Sequence, residues 1–203
     1  MAQPHDLRPG ASGLDEGHAR LSPAVFLDRD GVLIEPHVVD GRPYPPQREA
    51  DLVVTPGTAA ACRRLRDAAL LLVMVTNQPD IARRRQRREV VDAMHATLTR
   101  ELSLDAIYVC PHDDADACSC RKPKPGMLLD AARTLGIDLG RSVMVGDRWR
   151  DIEAGQRAGC ATVLVDRGYD ERAANRPDLT VSSLAEAVPW ILGFVGFDQE
   201  IAA

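Results

Sequence analysis

Two carboxylates two positions apart, in the run Phe26-Leu27-Asp28-Arg29-Asp30-Gly31-Val32, stand where a short apolar stretch ends abruptly in charge. At that spacing Asp28 can attack phosphorus while Asp30 protonates a leaving oxygen and later deprotonates water. Gly31 lets the chain turn so that backbone N–H groups approach a phosphate. Alone, an Asp-Gly turn after a strand is also an ordinary structural feature. Three further runs change its weight. Val75-Thr76-Asn77-Gln78 offers a hydroxyl and amides suited to phosphate oxygens without adding charge. In Arg121-Lys122-Pro123-Lys124-Pro125-Gly126, Lys122 can neutralise a transferring phosphoryl group, and the planar fork of Arg121 can grip a hydroxyl or a second phosphate. Lys124 reads as a solvated loop cation. In Val145-Gly146-Asp147-Arg148-Trp149-Arg150-Asp151, Asp147 can join Asp28 in an oxygen shell for Mg²⁺. Asp151 reads either as an orienting group behind that shell or as a helix cap.

A second chemistry sits in one loop. Cys110-Pro111-His112 followed by Cys118-Ser119-Cys120 supplies three thiolates and an imidazole, the complement of a tetrahedral structural Zn²⁺. Zinc would organise a segment that otherwise holds only Asp113-Asp114-Ala115-Asp116-Ala117. Cys62 and Cys160 lack such neighbours and read as buried small apolar residues. His95, on a helix face, reads as a packing or surface residue.

Continuous apolar runs alternate with amphipathic ones along the chain. Strands are expected at 24–28, 70–75, 106–109, 142–145 and 162–165, and helices over 58–69, from Arg83 through Leu98, after Pro125, from Asp151 and from Ser182. Such alternation predicts a Rossmann-like, doubly wound parallel α/β sheet, with ligands at the carboxyl ends of its strands. Asp28, Thr76-Asn77 and Gly146-Asp147 all stand at such ends. Residues 1–22 read as a flexible N-terminal extension, 23–195 as one phosphatase domain with a zinc loop at 110–120, and Trp190–Phe197 as an apolar segment packed on the body.

Together the four runs, in this order, resemble the haloacid dehalogenase superfamily of phosphatases. The zinc loop running into Arg121-Lys122-Pro123 is similar to the subfamily of heptose-bisphosphate 7-phosphatases and histidinol-phosphatases. The chain between the runs leaves room only for a minimal cap. This resemblance implies Asp28 as nucleophile and Asp30, protonated at the outset, as acid/base. It implies Mg²⁺ on Asp28, the Asp30 carbonyl and Asp147, and Zn²⁺ on Cys110, His112, Cys118 and Cys120. Thr76, Asn77 and Lys122 would contact the phosphoryl group and Arg121 the substrate, with Arg29, Gln78 and Arg148 counted in the same set. Pro79-Asp80 and Arg148 depart from the subfamily pattern and bear on substrate rather than reaction. A heptose bisphosphate, histidinol phosphate or another small phosphomonoester all remain open, as does an inactive zinc-stabilised binding protein. Arg121, Arg148 and the Arg83–Arg88 run can supply a second anion pocket, although an arginine run is also an ordinary solvated helix face.

Composition narrows the partners. The 203 residues are 45% apolar and 27% charged, which suits a globular chain and excludes a largely disordered one. A net charge of −5 with 4% aromatics gives little surface for nucleic acid. No apolar run approaches the ~18 residues of a membrane span. Five cysteines with no signal-peptide core point to a reducing, cytoplasmic setting. A phosphorylated sugar as the partner and a monomer as the working unit are expected.

Overall fold

The computed structural model of the chain describes residues 21–196. Six parallel strands form one sheet: β1 (Ala24–Leu27), β4 (Leu71–Asn77), β5 (Ala106–Cys110), β6 (Val143–Gly146), β7 (Ala161–Val165) and β8 (Leu179–Val181), in the spatial order β5-β4-β1-β6-β7-β8. Between β1 and β4 a small antiparallel hairpin, β2 (His37–Val39) and β3 (Arg42–Tyr44), stands apart from the sheet. It is all that the minimal cap amounts to. The helices are α1 (Thr58–Asp67), α2 (Arg88–Leu102), α3 (Gly126–Leu135), α4 (Trp149–Ala158) and α5 (Leu184–Phe194). None among the described residues is long and apolar enough to cross a membrane.

Alternation along each strand divides the core into two layers. Val25, Leu27, Leu72, Met74, Val143 and Val145 face α1 and α5, in one buried cluster with Leu65, Val188 and Ile191. Ala24, Phe26, Val73, Val75 and Met144 face the other way, onto Met127, Leu128 and Ala131 of α3 and Ala154 of α4. Cys62 and Cys160 lie buried in these layers. The order of strands reverses at β1: the chain runs outward through β4 and β5, then crosses back to β6 on the other side. Such a reversal opens a crevice at the carboxyl ends of the strands.

Several boundaries differ from expectation, each for a local reason. The helix expected from Arg83 begins at Arg88, because the backbone first turns on itself. Arg85 and Gln86 both donate their N–H to the Asp80 carbonyl, and Arg84 sits at φ +55°. The helix expected from Asp151 begins two residues earlier, at Trp149, and Asp151 caps it by accepting the Arg148 N–H at 3.0 Å. Ser183 caps α5, with its hydroxyl accepting from the Glu186 N–H. Ser22, at the end of the stretch read as an extension, is already tied to the body by backbone bonds to Gly136 and Asp138. Residues 1–20 of that stretch and Phe197 lie outside the described residues.

Candidate active site

Three strand ends converge on one buried floor. Asp28 follows β1, and its backbone N–H donates to Val145 of β6, which locks the two ends side by side. Asp147 follows β6, and Asp151 stands one helical turn on in α4. Oxygens of these three carboxylates lie within 4.8 Å of one another. A single cation is set among them. Lys122 Nζ is 2.9 Å from Asp28 and 2.6 Å from Asp151, and it donates to the Val75 carbonyl at 2.8 Å. Asn77 holds the lysine from behind: its Oδ1 accepts the Lys122 N–H and its Nδ2 donates to the Lys122 carbonyl. The Asn77 amide is thus engaged with the lysine backbone, which positions the lysine's charge.

One ammonium does not balance three carboxylates in a dry site. Burial pushes Asp28 up to about 7, with Lys122 opposing and Asp151 and Asp30 adding to the rise. Burial, then the charges of Asp28 and Asp151, hold Asp147 well above the usual carboxylate range. Lys122 moves up as well, because Asp151 and Asp28 outweigh the opposing effect of burial. Asp147 Oδ1 is buried with no hydrogen-bond partner among the described residues, while its Oδ2 accepts from the Tyr169 hydroxyl at 2.8 Å. An orphaned oxygen in an over-negative cluster of oxygen donors fits a hard divalent cation. Space is tight on the opposite side, where a Cβ on Gly31 (φ +80°) would fall 1.8 Å from Asp147 Oδ2.

Asp30 is oriented by donors alone. The Arg29 Nε and Nη2 groups reach both of its oxygens at 3.0–3.3 Å, and Gln78 Nε2 donates to Oδ2 at 3.0 Å while also bonding the Thr76 hydroxyl. Arg29 itself corrects an expectation. Its side chain is 1% exposed and lies beneath Asp30 against His95 Nε2 at 3.2 Å, so its guanidinium is not on the cavity wall. His95, read as a packing or surface residue, is buried and is one of this fork's partners.

Above the floor opens a cavity of about 570 Å³, lined by Asp28, Asp30, Thr76, Gln78 and Lys122 below. Five arginines (Arg83, Arg85, Arg121, Arg148 and Arg150) line its wall together with Tyr44 and Gln47 of the hairpin region. Four of them are already paired. Arg83 bridges Asp113 and Asp80, Arg121 and Arg150 meet Asp114, and Arg148 forms a fork with Glu171. The direct phosphate contact expected of Arg148 therefore competes with Glu171. Arg85, within the arginine run read as a possible second-anion pocket or a solvated helix face, makes no such pair among the described residues. Gln86 beside it donates to the carbonyls of Pro46 and Gln47, fastening the arginine turn to the hairpin side of the cavity.

The cysteine loop closes on itself. Cys110, Cys118 and Cys120 Sγ atoms lie 3.3–3.6 Å apart, with His112 Nδ1 at 3.3 Å from Cys120 and 3.7 Å from Cys110. A tetrahedral zinc with Zn–S of about 2.3 Å spaces its sulfurs by roughly 3.8 Å, so these four donors suit that ion. Burial drives the Cys110 thiol upward, whereas at Cys118 hydrogen bonds from Cys120 and the Arg121 N–H outweigh burial and bring it to about 7. Lys124 is exposed, as expected of a solvated loop cation, and also donates to the carbonyls of Ala117 and Cys118, pinning this loop beside Lys122. Of the groups that support the floor, Tyr169 and His95 carry no motif. They reach it from a loop after β7 and from α2, and only the fold brings them there.

The chain as a whole is similar to known proteins. The HAD-hydrolase-like family model matches residues 119–187. The D-glycero-D-manno-heptose-1,7-bisphosphate 7-phosphatase of Thermosynechococcus vestitus is 39% identical over 192 residues, covering 83% of this chain and 95% of its own. The D-glycero-beta-D-manno-heptose-1,7-bisphosphate 7-phosphatase of Escherichia coli K12 is 37% identical, covering 83% and 93%. Among solved structures, the D,D-heptose 1,7-bisphosphate phosphatase of Bordetella bronchiseptica, complexed with magnesium and phosphate, superposes with a TM-score of 0.70 at 33% identity, covering 84% of this chain and 98% of that one. On the sequence shared with such relatives, this chain belongs to the family of D-glycero-D-manno-heptose-1,7-bisphosphate 7-phosphatases within the haloacid dehalogenase-like hydrolases, and it is a phosphoric monoester hydrolase.

Proposed function

We propose that the chain removes the 7-phosphate of D-glycero-D-manno-heptose 1,7-bisphosphate through an aspartyl-phosphate on Asp28. The observation that carries this reading is the arrangement in depth: Asp28, Lys122 and Asp147 at a buried floor, and arginines around the mouth of a cavity large enough for a sugar bisphosphate. The reacting phosphate would descend to Asp28 while the second phosphate stays at the arginine level, near Arg121 and Arg85. Asp28 attacks phosphorus as Asp30 hands a proton to the departing sugar oxygen, and Asp30 then takes a proton from the water that frees Asp28. Lys122 stabilises the charge on the equatorial oxygens, held there by Asn77 and Asp151. Thr76 and Gln78 complete the polar wall beside Asp30.

Mg²⁺ would be held by Asp28, Asp147 and the Asp30 carbonyl, where it supplies charge neutralisation for the transferring phosphoryl group. Zn²⁺ on Cys110, His112, Cys118 and Cys120 would be structural, since all four positions are filled by protein donors. The free thiols of the loop suit a reducing cytoplasm. Among the described residues, four of the wall arginines are paired with carboxylates, which weighs against a nucleic-acid backbone as the ligand of this cavity. Asp80 on the cavity wall suits a cationic substrate such as histidinol phosphate, which would compete with Arg83 for it.

Phosphate release from both anomers of the heptose bisphosphate, beside histidinol phosphate and with added Mg²⁺, tests the proposal. A preference for one heptose anomer of at least tenfold in kcat/KM is the expected result. Preference for histidinol phosphate would move the assignment to the cationic substrate.

A further inference from the structure

We infer that His95 is a positioning residue for the acid/base Asp30, acting through the buried fork of Arg29. The inference rests on the reading of Asp30 as the group that moves the proton. Accounting for the N–H groups of Arg29 carries the argument. Its Nε and Nη2 are spent on the Asp30 carboxylate, and its Nη1 faces His95 Nε2 at 3.2 Å. The Arg29 side chain is 1% exposed, so solvent does not take over a bond that the protein drops. Two parallel N–H contacts fix the plane of a carboxylate as well as its place. That plane decides which lone pair of Asp30 faces the leaving oxygen. Because Arg29 is held at one end by Asp30 and at the other by His95, the imidazole sets where the fork stops.

His95 is suited to accept in this position. It lies on the buried face of α2, 66 residues from Arg29, among Val91, Met94 and Leu98. Burial and the neighbouring Arg29 push its pKa down to about 4, so the ring is neutral and Nε2 offers a lone pair. A substrate contact by His95 is excluded by its burial beneath Arg29. Its effect must therefore show in proton transfer and not in substrate binding.

Two substitutions and two substrates separate positioning from plain structural support. His95→Gln places an amide oxygen near the present Nε2, whereas His95→Asn is polar but too short to reach Arg29. Phenyl phosphate needs a proton on its leaving oxygen, and 4-nitrophenyl phosphate hardly does. For His95→Asn, kcat/KM on phenyl phosphate is expected to fall about tenfold more than on 4-nitrophenyl phosphate, a part of the ~10²-fold or more that general acid help supplies. His95→Gln should return that ratio to within about threefold of the unaltered enzyme. Equal loss on both substrates, or a Gln variant no better than Asn, would overturn the inference. Should His95→Asn fail to fold, Arg29→Lys keeps the charge, drops the fork and is expected to give the same leaving-group dependence. Aryl phosphates keep the test independent of the sugar: an enzyme inactive on heptose bisphosphate would sink the substrate assignment and leave this comparison intact.

Discussion

Replacing Asp147 by Asn should stabilise the magnesium-free protein while removing its response to magnesium. The carboxylates of Asp28, Asp147 and Asp151 crowd within 4.8 Å around one lysine. At that separation a like-charge pair costs about 3.5 kcal/mol for an effective dielectric of 20. Asp147 makes two such pairs, and Lys122, shared with its neighbours, offsets part of them. The buried Oδ1 has no partner to lose. Proton uptake by the raised Asp147 carboxyl caps the repulsion that Lys122 leaves. A net gain on the order of 2 kcal/mol at pH 8 is expected, or roughly 4–8 °C in Tm for a chain of this size. The pH dependence has a definite sign. Burial raises Asp28 to about 7 and Asp147 well above its ordinary value, so both folded-state values exceed the unfolded ones. The Asp28 penalty is present above pH 7 and fades as pH falls through 7 toward 4, and the Asp147 penalty also fades as falling pH lets the folded protein take up its proton. The advantage of Asp147→Asn should accordingly shrink by pH 5, together with the magnesium-induced rise in the unaltered protein. Differential scanning fluorimetry at pH 8 and pH 5, with and without Mg²⁺ and with zinc retained, reads all four quantities. A lower Tm for Asp147→Asn without magnesium at pH 8 would refute the reasoning, as would an unchanged response to the ion.

Other expectations are simpler. Tyr169→Phe removes the hydroxyl that fixes Asp147 Oδ2 and should weaken Mg²⁺ binding about tenfold by calorimetry, the lower end of what such supporting bonds contribute. Cys118→Ser should abolish stoichiometric zinc and lower activity, since Lys124 grips the Cys118 carbonyl two residues from Lys122; full zinc occupancy by elemental analysis would contradict the loop's role. Arg85→Ala should raise KM for a sugar bisphosphate about two- to fivefold, the scale of an exposed ion pair, with 4-nitrophenyl phosphate unaffected. A matching rise on the aryl phosphate would place Arg85 outside the second-anion level.

What the sequence shows of this site follows from where the information lies. Asp28, Thr76 and Asp147 announce themselves because a buried parallel strand is a continuous apolar run, and polarity at its end is conspicuous. The same holds for Cys110, His112, Cys118 and Cys120, whose donor types and spacing are legible before any fold is known. By contrast, β2, β3 and β8 are three residues each, too short to set up a period. The arginine run read as helical because its charges mimic a solvated face, whereas tertiary bonds to the Asp80 carbonyl and a left-handed Arg84 delay the helix to Arg88. The direction of the Arg29 side chain was equally out of reach. Nothing local distinguishes an arginine that faces substrate from one folded under its neighbour, and the partner that decides it, His95, is 66 residues away.

The central claim is phosphoryl transfer from the 7-position of the heptose to Asp28. Phosphorus NMR of D-glycero-D-manno-heptose 1,7-bisphosphate with Mg²⁺ follows the two phosphates separately, beside an Asp28→Asn control of confirmed fold. Loss of the 7-phosphate resonance with the 1-phosphate intact, and no change with the Asn variant, is the predicted result. Loss of the 1-phosphate, or turnover by Asp28→Asn near that of the unaltered enzyme, would contradict the account.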